Sequence, residues 1–247
     1  MRRAAKRLRV LVTAGPTREY IDPVRYISND SSGTMGFALA AAALRRGHDV
    51  TLVHGPVALR PVRGARAVAV VSASDMLRAC RRAWRASDVL VMAAAVADYA
   101  PAHPSRTKVK RSRAQRVLEL APTVDILAAL SAARRSGQKV IGFALEDRAP
   151  RRHAREKLER KGLDAIVLNR PSAIGAARSR VEVLERGGRW VALPMSRKAR
   201  VAVRLVALIE RLCKGGEASG AGGKPRDRVG RSASPLQKSK GTSATDC

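Results

Sequence analysis

Four stretches, residues 14–36, 93–112, 122–127 and 143–146, each follow a short apolar run and carry side chains suited to a phosphorylated ligand. The run Ser31-Ser32-Gly33-Thr34-Met35-Gly36 opens a helical pattern. Hydroxyls and free backbone N–H groups at a helix start hold phosphate well. The same run suits a plain helix start, with Ser32 as cap and the glycines for close packing. Spacing alone balances the two roles. Lys108 and Lys110 stand in a basic run with Arg106 and Arg111. That run is either a loop that brings charge to an anion or a solvated surface. Arg25, Asn29 and Asp98 complete the polar candidates. His48, His54, His103 and His153 show no ligand spacing and read as surface residues. No Ser/His/Asp or Cys/His arrangement stands out. The G-x-G-x-x-G fingerprint is absent after the first apolar run, which counts against an NAD(P)-dependent Rossmann oxidoreductase.

To converge, those stretches must leave the same edge of a sheet. In open α/β sheets, ligands bind beyond the carboxyl ends of the strands. Apolar runs at 10–13, 50–53, 68–71, 89–95, 139–143 and 165–168 read as buried strands. Helical patterns cover 37–46, a segment capped by Ser74 that carries Met76, Leu77, Cys80 and Trp84, then 124–133 and 151–161. Residues 17–29 read as a long polar loop and 99–113 as a mobile one. Runs at 181–184 and 190–193 flank Gly187-Gly188 and predict a late β-hairpin. Ser196 is placed to cap a final helix over 200–212. The alternation predicts an α/β fold: a Rossmann-like, mostly parallel sheet with helices on both faces. One domain spans residues 1–213. From Lys214 the composition turns to Gly, Ser, Lys and Arg, which predicts a disordered basic tail over 214–247.

The chain has 247 residues and a formal charge of +29. Such charge favours anionic partners, so a nucleic-acid-associated basic protein is the rival reading from outside enzymology. Arg residues are spread through nearly every helix rather than gathered in a stripe. Two Trp, three Tyr and two Phe leave few platforms for base stacking. Attraction for phosphorylated small ligands explains the charge more simply, and specific nucleic-acid binding is not expected. Cys80, Cys213 and Cys247 form neither a metal spacing nor a disulfide framework, which fits a reducing cytoplasm. No apolar stretch reaches membrane-spanning length, so no membrane role is expected.

The run Thr13-Ala14-Gly15-Pro16-Thr17-Arg18-Glu19, followed by Asp22-Pro23-Val24-Arg25-Tyr26-Ile27-Ser28-Asn29 and Ser31-Ser32-Gly33, resembles the opening of phosphopantothenoylcysteine synthetases. Further matches follow in family order: Val53-His54-Gly55-Pro56, Ala93-Ala94-Ala95-Val96-Ala97-Asp98-Tyr99, Lys108-Val109-Lys110, Asp125-Ile126-Leu127, Gly142-Phe143-Ala144 and Lys161-Gly162-Leu163-Asp164. The likeness spans about residues 8–212. It is to the bacterial form, here standing alone without the flavin-dependent decarboxylase domain. It implies a homodimer that joins 4'-phosphopantothenate to L-cysteine with CTP and Mg²⁺, through an acyl-cytidylate, and a separate decarboxylase that takes the product. It assigns catalytic roles to Asn29, Arg25 and Lys108. It assigns nucleotide binding to Met92, Ala93, Ala94, Asp98, Lys108, Val124, Asp125, Ile126, Leu127, Phe143, Lys157 and Lys161. Ser31, Ser32 and Gly33 remain phosphate candidates from their position, and no metal ligand is assigned. Asp30, Thr34, Pro122-Thr123-Val124, Leu145 and Leu168-Asn169 depart from the family pattern.

Overall fold

Along Arg9–Ala14 (β1), Val10, Val12 and Ala14 point into one apolar cluster and Leu11 into another. A strand alternates its side chains between two faces, so β1 is covered on both. The computed structural model describes residues 6–215. The remaining elements are β2 (Arg18–Tyr20), β3 (Tyr26–Ser28), α1 (Thr34–Arg45), β4 (Asp49–His54), β5 (Arg66–Ala69), α2 (Ala73–Trp84) and β6 (Val89–Met92). There follow β7 (Tyr99–Pro101), β8 (Leu120–Pro122), α3 (Ile126–Ala132), β9 (Lys139–Leu145), α4 (Pro150–Arg160) and β10 (Ala165–Asn169). The chain closes with β11 (Arg178–Ser179), β12 (Glu182–Glu185), β13 (Trp190–Ala192), β14 (Ser196–Arg197) and α5 (Lys198–Gly215).

Eight strands form one sheet in the order β13-β12-β10-β9-β6-β1-β4-β5. The six from β10 to β5 run parallel, and β12 and β13 add the expected hairpin antiparallel at the edge. Helices α1 and α5 pack on one face through Phe37, Leu39, Ala43, Val201, Leu205 and Ile209. Helices α2, α3 and α4 pack on the other through Met76, Trp84, Leu130 and Leu158. The chain leaves β1 for β4 on one side and later returns to place β6 on the other. The carboxyl ends of β1 and β6 therefore bound the crevice where strand order reverses, the place such sheets hold ligands.

Several local expectations change. Residues 17–29 are not simply a loop, because β2 and β3 pair antiparallel within them. Residues 99–113 are not free: β7 pairs with β8, Ser105 N–H donates to Ile21 O at 2.8 Å, and Val109 N–H donates to the Asp22 carboxylate at 3.1 Å. Ser72, not Ser74, caps α2. Its hydroxyl accepts from Asp75 N–H at 3.1 Å while the Asp75 carboxylate accepts from Ser72 N–H at 3.0 Å. Gly33, not Ser32, is the cap residue of α1, with φ of 75° that a side chain rarely adopts. Ser196 lies in β14 and donates to Pro194 O, so it does not cap α5. His48 is buried rather than on the surface; its Nε2 meets Glu210 at 2.9 Å and its Nδ1 accepts from Leu8 N–H at 3.3 Å. Lys214 and Gly215 close α5, and the tail from 216 on lies outside the described residues. Among the described residues no helix is long and apolar enough to cross a membrane.

Candidate active site

Two buried threonines build the crevice between β1 and β6. Thr13 Oγ1 accepts from Ala94 N–H at 3.1 Å, and Thr17 Oγ1 accepts from Ala97 N–H at 3.0 Å. Between them Ala95 N–H donates to Gly15 O at 2.9 Å. The segment after β6 is thereby held against the segment after β1, although the strand ladder has ended. Gly36 permits the next approach. A Cβ there would lie 2.4 Å from the Ala14 Cβ, so only glycine lets α1 start this close to the end of β1. A cavity of about 760 Å³ opens above.

The cavity gathers the ends of β1, β6, β9 and β10. Its lining includes Asn29, Ser31, Ser32, Gly33, Met92, Ala93, Ala94, Asp98, Val124, Asp125, Ile126, Leu127, Phe143, Lys157 and Lys161. Every nucleotide candidate from the sequence except Lys108 is in that set. Asn29 donates its side-chain amide to Val96 O at 2.9 Å, so its position is fixed by the crevice wall. Asp125 caps α3, accepting from Ala128 N–H at 3.0 Å, and pairs with the Lys161 ammonium at 2.7 Å. Burial opposes charge on Asp125, but the Lys161 contact and the cap hydrogen bond outweigh it and hold its carboxyl below the usual range. Lys157 is half-buried and donates to Phe143 O at 2.9 Å. Burial, then repulsion from Lys161, pushes its ammonium below the usual lysine value. One carboxylate does not balance two buried-side lysines, so this end of the cavity favours a polyanion.

Arg25 and Lys108 lie outside the lining. Both are exposed, and they neighbour one another through Asp22. The buried Asp22 carboxylate accepts from Val24 N–H at 2.9 Å, Arg25 N–H at 2.8 Å and Val109 N–H at 3.1 Å. It also pairs with the Arg25 guanidinium, which in turn donates to Val109 O. Burial opposes its charge, yet these donors pull its pKa down to about 2. Arg25 thus anchors the strip that carries Lys108 beside the cavity. Among the described residues no group of three or more His, Cys, Asp or Glu side chains is placed to hold a metal. Burial pushes the Cys80 thiol up to about 12 and the Cys213 thiol up to about 11, so neither is a nucleophile.

The sequence did not single out Thr13, Thr17, Glu146, Asn169, residues 173–175 or Lys198 as site residues. The last four line the cavity, and the threonines support it. A threonine in an apolar strand reads as β propensity, and a lysine in Ser196-Arg197-Lys198 reads as surface.

A family model described as the DNA/pantothenate metabolism flavoprotein C-terminal domain matches residues 5–212. The coenzyme A biosynthesis bifunctional protein CoaBC of Bacillus subtilis (strain 168) is 40% identical over 210 residues, covering 83% of this chain and 52% of that protein. A cysteine/cysteine sulfinic acid decarboxylase from an unknown prokaryotic organism is 43% identical over 206 residues, covering 81% of this chain and 57% of that protein. The chain thus spans about half the length of these curated relatives. A crystal structure of the C-terminal domain of CoaBC superposes with a TM-score of 0.75 at 38% identity, covering 86% of this chain and 100% of that one. A sheet, crevice and lining held in common with that domain, over nearly all the described residues, place the chain in the DNA/pantothenate metabolism flavoprotein C-terminal domain family.

Proposed function

We propose that the chain joins 4'-phosphopantothenate to L-cysteine in coenzyme A biosynthesis, using CTP. The observation that carries this reading is the cavity lining. It unites Asn29 with a lysine-rich pocket, Lys157 and Lys161, at the switch point of a sheet shared with CoaBC. In the first step a carboxylate oxygen of the acid attacks the α-phosphorus. The bond to the bridging oxygen breaks and pyrophosphate leaves with its electron pair. In the second step the cysteine amine attacks the acyl carbon, loses a proton, and CMP leaves.

The residues present suit that chemistry. Lys157 and Lys161 supply positive charge where the triphosphate must sit. Asn29 uses one amide N–H on Val96 O and keeps another for an acyl oxygen, with no charge to repel the carboxylate. The exposed amide and carbonyl groups of Ala93, Ala94 and Val124 to Leu127 are placed to read the base edge. Lys108, on its tethered strip, reaches the reacting phosphate if the strip closes. Magnesium supplies charge neutralisation to the triphosphate. The described residues offer no cage for it, so it enters with the nucleotide. Two copies of the chain and a separate decarboxylase acting on the product complete the proposal.

The test is direct. Purified protein is given phosphopantothenate, cysteine, Mg²⁺ and each nucleoside triphosphate in turn, with products followed by mass spectrometry. CTP should support ligation with CMP and pyrophosphate as co-products. Equal turnover with ATP, or a nucleoside diphosphate product, would refute the nucleotide assignment; absence of ligation with any triphosphate would refute the ligase reading.

A further inference from the structure

Lys198, the first residue of α5, lines the cavity and is only 7% exposed. Its backbone N–H donates to Ala177 O at 3.2 Å, which fixes the helix start beside the 173–175 wall of the cavity. Among the described residues, no hydrogen bond or ion pair engages its ammonium. Burial holds that ammonium below the usual lysine value, and no protein charge offsets the effect. A desolvated ammonium without a counter-ion is costly to the fold, so its place calls for an anion that the protein does not itself supply.

The start of α1 lies at the same end. Arg46, just after α1, donates to Glu210 of α5 at 2.6 Å. Counting back equal distances along the two helices reaches Thr34 and Lys198, and both line the cavity. The helices therefore run parallel, with their positive ends together. Gly33 caps α1 without a side-chain hydrogen bond, and neither helix has an acidic residue in its first turn. Meanwhile α1 and α5 cover one face of the sheet, and α4, with Lys157 and Lys161, covers the other. The cavity straddles the sheet edge and so has cations on two separate sides.

We propose that Lys198 and the start of α1, with Ser31 to Thr34, form a second anion subsite that takes the phosphate monoester of the acid substrate. This rests on the ligase reading and extends it. The acid substrate carries a reacting carboxylate at one end and a phosphate monoester at the other. The carboxylate must meet the nucleotide near Asn29. The monoester is then held on the opposite face from the triphosphate, which keeps the two polyanions apart. Lys198 selects the phosphorylated acid over plain pantothenate.

Calorimetric titration of the full chain with CTP, phosphopantothenate and pantothenate tests this in wild type, Lys198→Met and Lys198→Arg. Lys198→Met should lose on the order of 10- to 100-fold in phosphopantothenate affinity, the worth of one charge-assisted hydrogen bond, with CTP affinity held within about twofold. Pantothenate affinity should be unchanged. Lys198→Arg keeps the charge and should keep most of the preference. The melting temperature of Lys198→Met should equal or exceed that of wild type, since an unpaired buried charge is removed. A preference for the phosphorylated acid that survives in Lys198→Met overturns the subsite, as does an equal loss for CTP. Failure of Lys198→Met to fold also overturns it, by making the lysine structural. Wild type that binds neither CTP nor phosphopantothenate sinks the ligase reading; wild type that binds both, with the preference intact in Lys198→Met, sinks the subsite alone.

Discussion

Asn29 shows how little freedom a site side chain retains here. Its amide is held by Val96 O at 2.9 Å, so a substitution of the same size stays in place while its chemistry changes. Asn29→Asp puts a negative charge beside the reacting carboxylate and removes a donor; ligation should fall on the order of 10²-fold or more, measured as kcat/KM for phosphopantothenate. Lys157 gives a second expectation, this one in protons. Burial and then Lys161 lower its pKa from 10.5, so the free site holds less than a full proton in the alkaline range just below that value. A bound polyanion restores the charged form. CTP binding should therefore take up protons at alkaline pH, read as a binding enthalpy that depends on buffer ionisation, and Lys157→Met should abolish the uptake. Proton release, or none in wild type, would contradict the assignment. The identity of both residues was legible from the family motif. That one amide N–H of Asn29 was already in use, and that Lys157 and Lys161 share a single carboxylate in the lining close enough to pair, was not.

The strip 105–109 is held by a carboxylate far from it in sequence. Asp22 binds Val109 N–H and the Arg25 guanidinium together, a tether invisible to local pattern because the partners lie on separate loops. Short strands β2 and β3 were missed for a related reason. Three-residue strands show too little alternation to read, and here Glu19 fixes the hairpin by accepting from Ala73 N–H at 2.8 Å, at the start of α2. Asp22→Asn removes the ion pair and weakens the tether. Trypsin should then cut at Arg106, Lys108 and Lys110 several-fold faster, a rough figure for local opening, and kcat should fall more than CTP affinity. The pH sign follows from the pKa of about 2 in the fold against about 3.9 unfolded. The contribution of Asp22 to stability is complete above the unfolded value and is lost as pH falls toward 2. Hydrogen exchange at Val109 should stay protected down to that window. Lys108→Gln should lower turnover more than nucleotide affinity, whereas Lys110→Gln should weaken binding chiefly at low salt. Equal small effects of both would return this strip to the role of solvated surface.

Across the molecule, α1 and α5 are clasped at the end away from the cavity. Glu210 accepts from Arg46 and from the buried His48 Nε2. The Arg46 hydrogen bond first, against an opposing effect of burial, holds the Glu210 carboxyl below the usual range. Its stabilisation is therefore present above about pH 4.3, the unfolded value, and is lost as pH falls through the lowered folded one. Glu210→Ala leaves His48 without an acceptor and should cost about 1–3 kcal/mol, seen as a drop of roughly 2–4 °C in Tm per kcal/mol. Ligation at low temperature should be unchanged, since neither residue lines the cavity. What the sequence determined by itself is the set of buried strands, the mostly parallel α/β class and the late hairpin. Apolar periodicity and Gly-rich stops are local properties, and Val10, Leu11 and Val12 need no partner to declare a strand buried on both faces. It also named most of the lining, since the resemblance ran through Asn29, Ala93, Asp125 and Lys157. Only the tertiary structure decided the threonine wall, the Asp22 tether, the burial of His48 and the place of Lys198. Each depends on which segments become neighbours when strand order reverses between β1 and β6. A side chain's burial and partners are set by that through-space meeting, and no local pattern in Ser196-Arg197-Lys198 encodes it.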